Sequence, residues 1–353
     1  QGMTPTLHDI PPLLRSWAMR VTPGGGRRLA LERGALHSGT REPGLTHIDR
    51  TGIVDNDGVP VHWYEYGDVD AGDSSVTVVF IHGFTLAAES FYLQVNHLRA
   101  QWPDARLLLM DLRGHGQTGA VAPEKCTVRG AADDVTAVLD ARGVSGPVIL
   151  VGHSLGGLVA LNLVRRCPDE LRGRISGLIL VSASIEALSA QGLPQILASP
   201  IADKVYDAVE ASPNEADRFR HEVSKYLAPG LAVTIFHRDT DYDLIEFHAA
   251  MIHETPLETF VGFFDDLQVH DELAAGQHLD GIPGYVINGD SDDVTPMTQA
   301  ERICEVWPGA WLQTAMGAGH MIPLEAPGIL NAAIDRLVGM ATPEGGESLD
   351  SGR

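Results

Sequence analysis

The chain is 353 residues long, 44% hydrophobic and 20% charged, with 47 acidic against 25 basic residues and a net charge of −22. That length buries a full core as one large domain with an insertion or as two domains, and the composition is that of a soluble globular protein. The negative balance argues against a nucleic-acid partner, which needs clustered Lys and Arg, and no apolar run approaches the ~20 residues of a membrane span.

At the amino terminus, Gln1-Gly2 ahead of Met3 reads as residual tag sequence. Residues 1–44 are expected to form an arm docked on the main domain. Pro11-Pro12 and Gly24-Gly25-Gly26 break regular structure there, and Leu13, Leu14, Trp17 and Met19 suffice for one short amphipathic turn. The segment to Arg50 carries seven arginines, but the apolar run after Arg27-Arg28 is interrupted by Glu32 and Arg33, so no secretory core follows. Cys126, Cys167 and Cys304 are far apart and odd in number, against a disulfide framework and against a Cys-x-x-Cys metal site. The expected location is the cytoplasm.

From His47 the pattern becomes regular. Asn56-Asp57-Gly58 reads as a hairpin turn between strands Thr51–Val54 and Val59–Tyr66. Val76–Ile81 is a continuous apolar strand, followed by a helix around Ser90–Ala100, the strand Arg106–Met110 and a helix over Ala131–Leu139. The strand Val148–Val151, its helix and the strand Gly177–Ser182 follow. Such near-continuous apolar strands alternating with helices predict a mostly parallel sheet covered on both faces. The alternation stops after Ala183. Helical periodicity without strands runs through Leu193–Val209, Glu215–Tyr226, Asp243–Ile252 and Glu258–Val269. The strand pattern resumes at Gly284–Asn288, with a helix over Met297–Val306, the strand Trp311–Ala315 and a last helix Pro327–Met340. The organisation expected is a core over 45–183 and 281–341, a helical cap over 184–280 inserted between two strands, and a disordered tail over 342–353.

The stretch Val-Ile-Leu-Val-Gly-His-Ser-Leu-Gly-Gly from Val148 carries the chemistry. Gly152, Ser154 and Gly156 form G-x-S-x-G between a strand and a helix. A serine at such a turn is forced into strained geometry, tolerates only small neighbours, and meets a helix N-terminus that favours an anion. Serine is a poor nucleophile and needs a base, an orienting acid and oxyanion donors. His320, in Gly-Ala-Gly-His after the strand ending at Ala315, is the candidate base among fifteen histidines. Asp290, Asp292 and Asp293 all follow the strand Gly284–Asn288, so chemistry alone leaves the acid open, and at least one should cap the turn. The backbone N–H groups of Phe84, after the strand Val76–Ile81, and Leu155 are the candidate oxyanion donors. His82 falls in the oxyanion loop, His115 in a glycine-rich turn and His153 within the elbow, pointing elsewhere.

Together, His82-Gly83-Phe84, Asp111-Leu112-Arg113-Gly114-His115-Gly116, Gly152-His153-Ser154-Leu155-Gly156-Gly157, Gly289-Asp290-Ser291-Asp292-Asp293-Val294-Thr295-Pro296 and Gly319-His320 with Glu325-Ala326-Pro327 resemble the α/β-hydrolase superfamily, in its lidded serine esterase and lipase-like branch. The resemblance spans about His47 to Met340. It implies the α/β-hydrolase fold, and the pattern G-x-x-D-x-x-x-P assigns the acid to Asp292, giving the family order Ser154, Asp292, His320. It also implies that Asp111–Gly116 is a structural loop, with no catalytic role for Arg113 or His115. The elbow serine excludes the haloalkane and epoxide routes that the resemblance associates with an aspartate there.

The expected reaction is hydrolysis of a carboxylic ester with a small or medium apolar acyl group through an acyl-enzyme. Ile196, Leu197, Phe219, Tyr226, Phe236, Phe247, Met251, Phe260, Phe263 and Phe264 supply both cap packing and an apolar acyl pocket. An acyltransferase, a thioesterase, a carbon–carbon bond hydrolase and a slow-turnover receptor stay open, because the sequence does not report whether water reaches the acyl-enzyme. No cofactor or metal site stands out. The expected partner is a small-molecule ester, without stable membrane insertion, and the sequence leaves the oligomeric state open.

Overall fold

The computed structural model describes residues 43–67, 75–187 and 242–342. Strands β1 (Arg50–Asn56) and β2 (Val59–Tyr66) form an antiparallel hairpin in which Asn56 faces Val59. Asp57 and Gly58 both take positive φ, at 52° and 80°, the two-residue turn whose twist matches that of the flanking strands. The remaining strands are β3 (Thr77–Ile81), β4 (Arg106–Met110), β5 (Val148–His153), β6 (Ile175–Val181), β7 (Gly284–Gly289) and β8 (Trp311–Ala315). They join one eight-stranded sheet in the order β1-β2-β4-β3-β5-β6-β7-β8. Only the β1–β2 and β2–β4 pairs are antiparallel.

Helices α1 (Tyr92–Gln101), α2 (Val128–Ala141), α3 (Leu155–Arg166), α4 (Asp169–Arg174), α5 (Tyr242–Glu254), α6 (Leu257–Val269), α7 (Met297–Val306), α8 (Ile322–Glu325) and α9 (Pro327–Ala341) complete the described elements with short 3₁₀ turns. The expected elements that fall within the described residues lie within a few residues of these bounds. Thr127 caps α2 by accepting from Gly130 N–H at 3.0 Å, which starts that helix three residues before its apolar periodicity does. The sequence reading misses α4, α8 and the 3₁₀ turn Leu273–His278, each of four to six residues and too short to show a period.

Alternation along the strands divides the core in two. Val79, Ile81, Leu108, Met110 and Leu150 face one side, with α2, α3 and Trp307. Val78, Phe80, Leu107, Leu109 and Val151 face the other, against α1 and α9. The central strands bury every residue, so an apolar run without alternation is what a sheet covered on both faces requires.

The expected helices Leu193–Val209 and Glu215–Tyr226 lie outside the described residues, as do Leu13, Leu14, Trp17 and Met19 of the arm and residues 343–353 of the tail. The helices described in the segment between β6 and β7 are α5 and α6, followed by the 3₁₀ turn Leu273–His278. Where the chain leaves and re-enters the core, Glu272 N–H donates to Ile185 O at 2.8 Å, and the buried Glu272 carboxylate accepts from Asn162 and Arg165 of α3. Helix α6 is fastened to the core at two further points. Thr259 Oγ1 donates to Gly114 O at 2.7 Å, and Asp266 Oδ2 accepts Val128 N–H at 2.8 Å. Phe247, Met251 and Ile252 of α5 pack with Leu86, Val294, Met321 and Leu324. No described helix is long and apolar enough to cross a membrane.

The strand order reverses between β3 and β5: from β3 the chain steps outward to β4, then returns to the other side of β3. Loops diverge at such a point and leave a crevice beyond the carboxyl ends of the strands.

Candidate active site

Ser154 stands in that crevice, between β5 and α3. It takes φ 54° and ψ −117°, a conformation L-residues avoid, which turns its hydroxyl out of the sheet. The flanking glycines are there for space. A Cβ on Gly152 would overlap Gly156 O, and one on Gly156 would overlap Ile81 O at the end of β3. Close approach of α3 to β3 brings the loop after β3 to the serine, so a Cβ on Gly83 would stand 3.2 Å from Ser154 Cβ. Phe84 follows Gly83, and Leu155 opens α3. The two expected oxyanion donors therefore belong to segments that meet at Ser154.

His320 comes from the loop after β8. Its Nε2 is 3.0 Å from Ser154 Oγ, and its Nδ1 is 2.9 Å from Asp292 Oδ2. Asp292 follows β7, and the two loops are tied together by Ser291 N–H donating to Ala318 O at 3.1 Å. Of the three aspartates left open by spacing, Asp292 alone reaches the histidine. Asp290 instead accepts Gly317 N–H of the loop after β8 at 2.7 Å, Asp293 is exposed, and the turn-capping expected of at least one of the three falls to Asp292 itself, which accepts the N–H groups of Val294 and Thr295.

Asp292 is held on every side. Oδ1 accepts the N–H groups of Val294 and Thr295, both at 2.9 Å, and Oδ2 accepts the Thr295 hydroxyl at 2.8 Å. Burial alone would raise its pKa, but the charge of His320 and the hydrogen bonds from His320 and Thr295 outweigh it and hold the carboxyl below the usual carboxylate range. With its proton given to Asp292, Thr295 Oγ1 is also 3.3 Å from His320 Nδ1. Thr295 escapes sequence reasoning, although a hydroxyl three residues after an acid at a helix start is a recognisable local hydrogen-bonding signal.

The other histidines near the strand ends have different work. His82 Nδ1 donates to Gly83 O at 2.8 Å and Nε2 accepts Leu112 N–H at 3.0 Å. His115 Nδ1 donates to Arg113 O at 3.0 Å, and Nε2 accepts Thr85 N–H at 3.1 Å. With Ala88 N–H donating to Asp111 Oδ1 at 2.8 Å, these bonds tie the loop after β4 to the loop that carries Phe84. Arg113 is committed to a two-pronged pair with Asp134, at 2.7 and 2.8 Å. His153 is buried, its Nε2 donating to His320 O at 2.9 Å, and burial drives its pKa down to about 3. Among the described residues, no group of three His, Cys, Asp or Glu side chains is placed to hold a metal ion.

Phe84 also turns toward α6. Its ring meets Phe260 edge-on at 5.3 Å between centroids and lies 6.1 Å from Phe263. The expected acyl-pocket residues Phe247, Met251, Phe260, Phe263 and Phe264 lie on α5 and α6, whereas Ile196, Leu197, Phe219, Tyr226 and Phe236 fall outside the described residues.

A nucleophilic hydroxyl, an imidazole touching it and a carboxylate behind the imidazole make up the apparatus for acyl transfer. The model of the Alpha/beta hydrolase family matches residues 78–333. A curated relative, pimeloyl-(acyl-carrier protein) methyl ester esterase of Neisseria meningitidis serogroup B, is 32% identical over 251 residues, 70% of this chain and 87% of that protein. Among solved structures, a thermophilic esterase from Thermogutta terrifontis superposes with a TM-score of 0.64 at 20% identity, over 83% of this chain and 98% of that one. The enol-lactonase from Burkholderia xenovorans LB400 does so with a TM-score of 0.65 at 19% identity, over 82% and 100%.

Proposed function

The chain belongs to the alpha/beta hydrolase family, and on that premise we propose a serine esterase whose triad is Ser154, His320 and Asp292. It is a carboxylic ester hydrolase. In our reading Ser154 Oγ attacks the ester carbonyl while His320 Nε2 takes its proton. Asp292 holds the Nδ1–H tautomer and stabilises the imidazolium that forms. The N–H groups of Phe84 and Leu155 receive the oxyanion, the second with the help of the α3 N-terminus. His320 returns the proton to the leaving alcohol, and water then releases the acid by the same route. The observation that carries this reading is the position of His320, 3.0 Å from Ser154 Oγ on one side and 2.9 Å from Asp292 Oδ2 on the other.

For substrate we propose esters with a small or medium apolar acyl chain, supported by the aromatic face that α6 presents to the oxyanion loop through Phe260 and Phe263. The inserted segment 184–280 serves as the cap, a reading supported by the Glu272–Ile185 hydrogen bond, which closes its two ends on one point of the core. The free thiols Cys126, Cys167 and Cys304 support a cytoplasmic setting.

The test is a panel of p-nitrophenyl esters of increasing acyl length, followed from the burst into steady state. Many turnovers per enzyme are expected, with a preference for short and medium chains. Ser154→Ala should fold as the wild type does and lose activity by on the order of 10⁴-fold or more. Near-wild-type hydrolysis by that variant would overturn the assignment, and a single turnover by the wild type would favour a receptor.

A further inference from the structure

His320 has to present Nε2 to Ser154 from a loop with little stiffness of its own, since Gly317 and Gly319 precede it and Gly317 takes φ 70°. The direction of its side chain is set by the backbone around it, where two hydrogen bonds from buried side chains act on the peptide that follows His320 and a third acts on the Gly319 N–H before it. Glu325 is 8% exposed, and its carboxylate bridges the histidine: Oε1 accepts Gly319 N–H at 2.6 Å and Oε2 accepts Met321 N–H at 3.3 Å. On the other side, His320 O accepts from His153 Nε2 at 2.9 Å. The peptide joining His320 to Met321 is thus held at both ends, its N–H by Glu325 and its C=O by His153. A carbonyl only accepts, so the His153 proton must be on Nε2.

We propose that Glu325 and His153 are positioning residues for His320, clamping the His320–Met321 peptide between them so that the imidazole meets Ser154 Oγ in line for proton transfer. The inference rests on the triad reading above. Neither residue touches the reacting atoms, and each acts by fixing backbone. Glu325 is carried by α8, whose first turn it closes by donating its own N–H to Met321 O at 2.8 Å, so the brace and the loop it braces form one unit. His153 lies beside Ser154 in the chain, and its ring centroid is 5.2 Å from that of His320. The residue before the nucleophile thereby holds the base from behind. Displacing a reacting group by about 1 Å costs on the order of 10²-fold in rate, which is the scale of effect open to such a clamp.

The experiment compares Glu325→Gln, His153→Leu and His153→Gln with wild type and Ser154→Ala in steady-state ester hydrolysis, with circular dichroism and Tm for each. Glu325→Gln keeps the shape but sets an amide N–H₂ against one of the two backbone N–H groups. Its kcat should fall about 10- to 100-fold with KM within about twofold, because the binding surface is untouched. His153→Leu should lower kcat about tenfold, and His153→Gln, which restores an N–H donor, should recover most of that loss. A variant that is merely less stable would show wild-type kcat per folded molecule. Wild-type kcat in both Glu325→Gln and His153→Leu, with Ser154→Ala inactive, would overturn the clamp and leave the triad standing. Full activity in Ser154→Ala would instead overturn the reading beneath it. Should the variants fail to fold, ¹⁵N chemical shifts of the wild-type protein report the His153 tautomer, and an Nδ1–H form would overturn the proposal.

Discussion

Three buried histidines, His82, His115 and His153, make the folded protein sensitive to mild acid. His82 and His115 each use Nε2 to accept a backbone N–H, so a proton on that nitrogen would set two donors against each other. Burial lowers all three pKa values, that of His115 well below the ordinary 6.5 and that of His153 to about 3. The unfolded chain binds protons on these rings near pH 6.5 while the folded one does not. The stability they contribute is therefore complete above about pH 6.5 and is lost as pH falls toward the folded values. For a histidine that stays neutral in the fold, linkage gives a loss of about 2 kcal/mol between pH 7.5 and pH 5. His153, whose folded value of about 3 lies below that interval, removes about 2 kcal/mol over it, against a total of roughly 5–15 for a typical domain, and His115 and His82 add to the loss. Urea unfolding followed by circular dichroism at half-unit pH steps measures the slope. The discriminating variant is His115→Gln, whose stability should fall less steeply below pH 6, by up to about 1.4 kcal/mol per pH unit, whatever its absolute stability. Parallel wild-type and variant curves would refute the reasoning.

The remaining predictions concern the site. Asp292→Asn should lower kcat/KM by about 10⁴-fold, whereas Asp290→Asn and Asp293→Asn should stay within a few-fold of wild type, all measured on one p-nitrophenyl ester. Thr295→Val removes the hydroxyl that donates to Asp292 Oδ2 and should lower kcat about tenfold, while Thr295→Ser stays near wild type in the same assay. Gly156→Ala drives a methyl group into Ile81 O and should cost about 3 kcal/mol or more, seen as a large fall in Tm or as insoluble protein.

The sequence by itself determined the elements of the core and singled out Ser154 as the candidate nucleophile, because both are written in local chemistry. A buried parallel strand must be apolar along its whole length, as Val76–Ile81 and Val148–Val151 are, and a strained serine elbow must have glycine at Gly152 and Gly156. The hairpin at Asp57-Gly58 was legible for the same reason, since few residue pairs accept two positive φ values in succession. Which of the three aspartates faces His320 was implied by resemblance and not by spacing. Asp290, Asp292 and Asp293 are chemically equal along the chain, and only the packing of the loops after β7 and β8 gives Asp292 to the histidine and Asp290 to Gly317. Tertiary structure alone also decided the partner of His153, whereas the bonds of Thr295 to Asp292 and of Glu325 to Gly319 and Met321 are local. Hydrogen bonds fall off within a few tenths of an ångström, so a bond such as that from His153 to His320 O, 167 residues away in the chain, exists only once the sheet has brought the ends of its strands together.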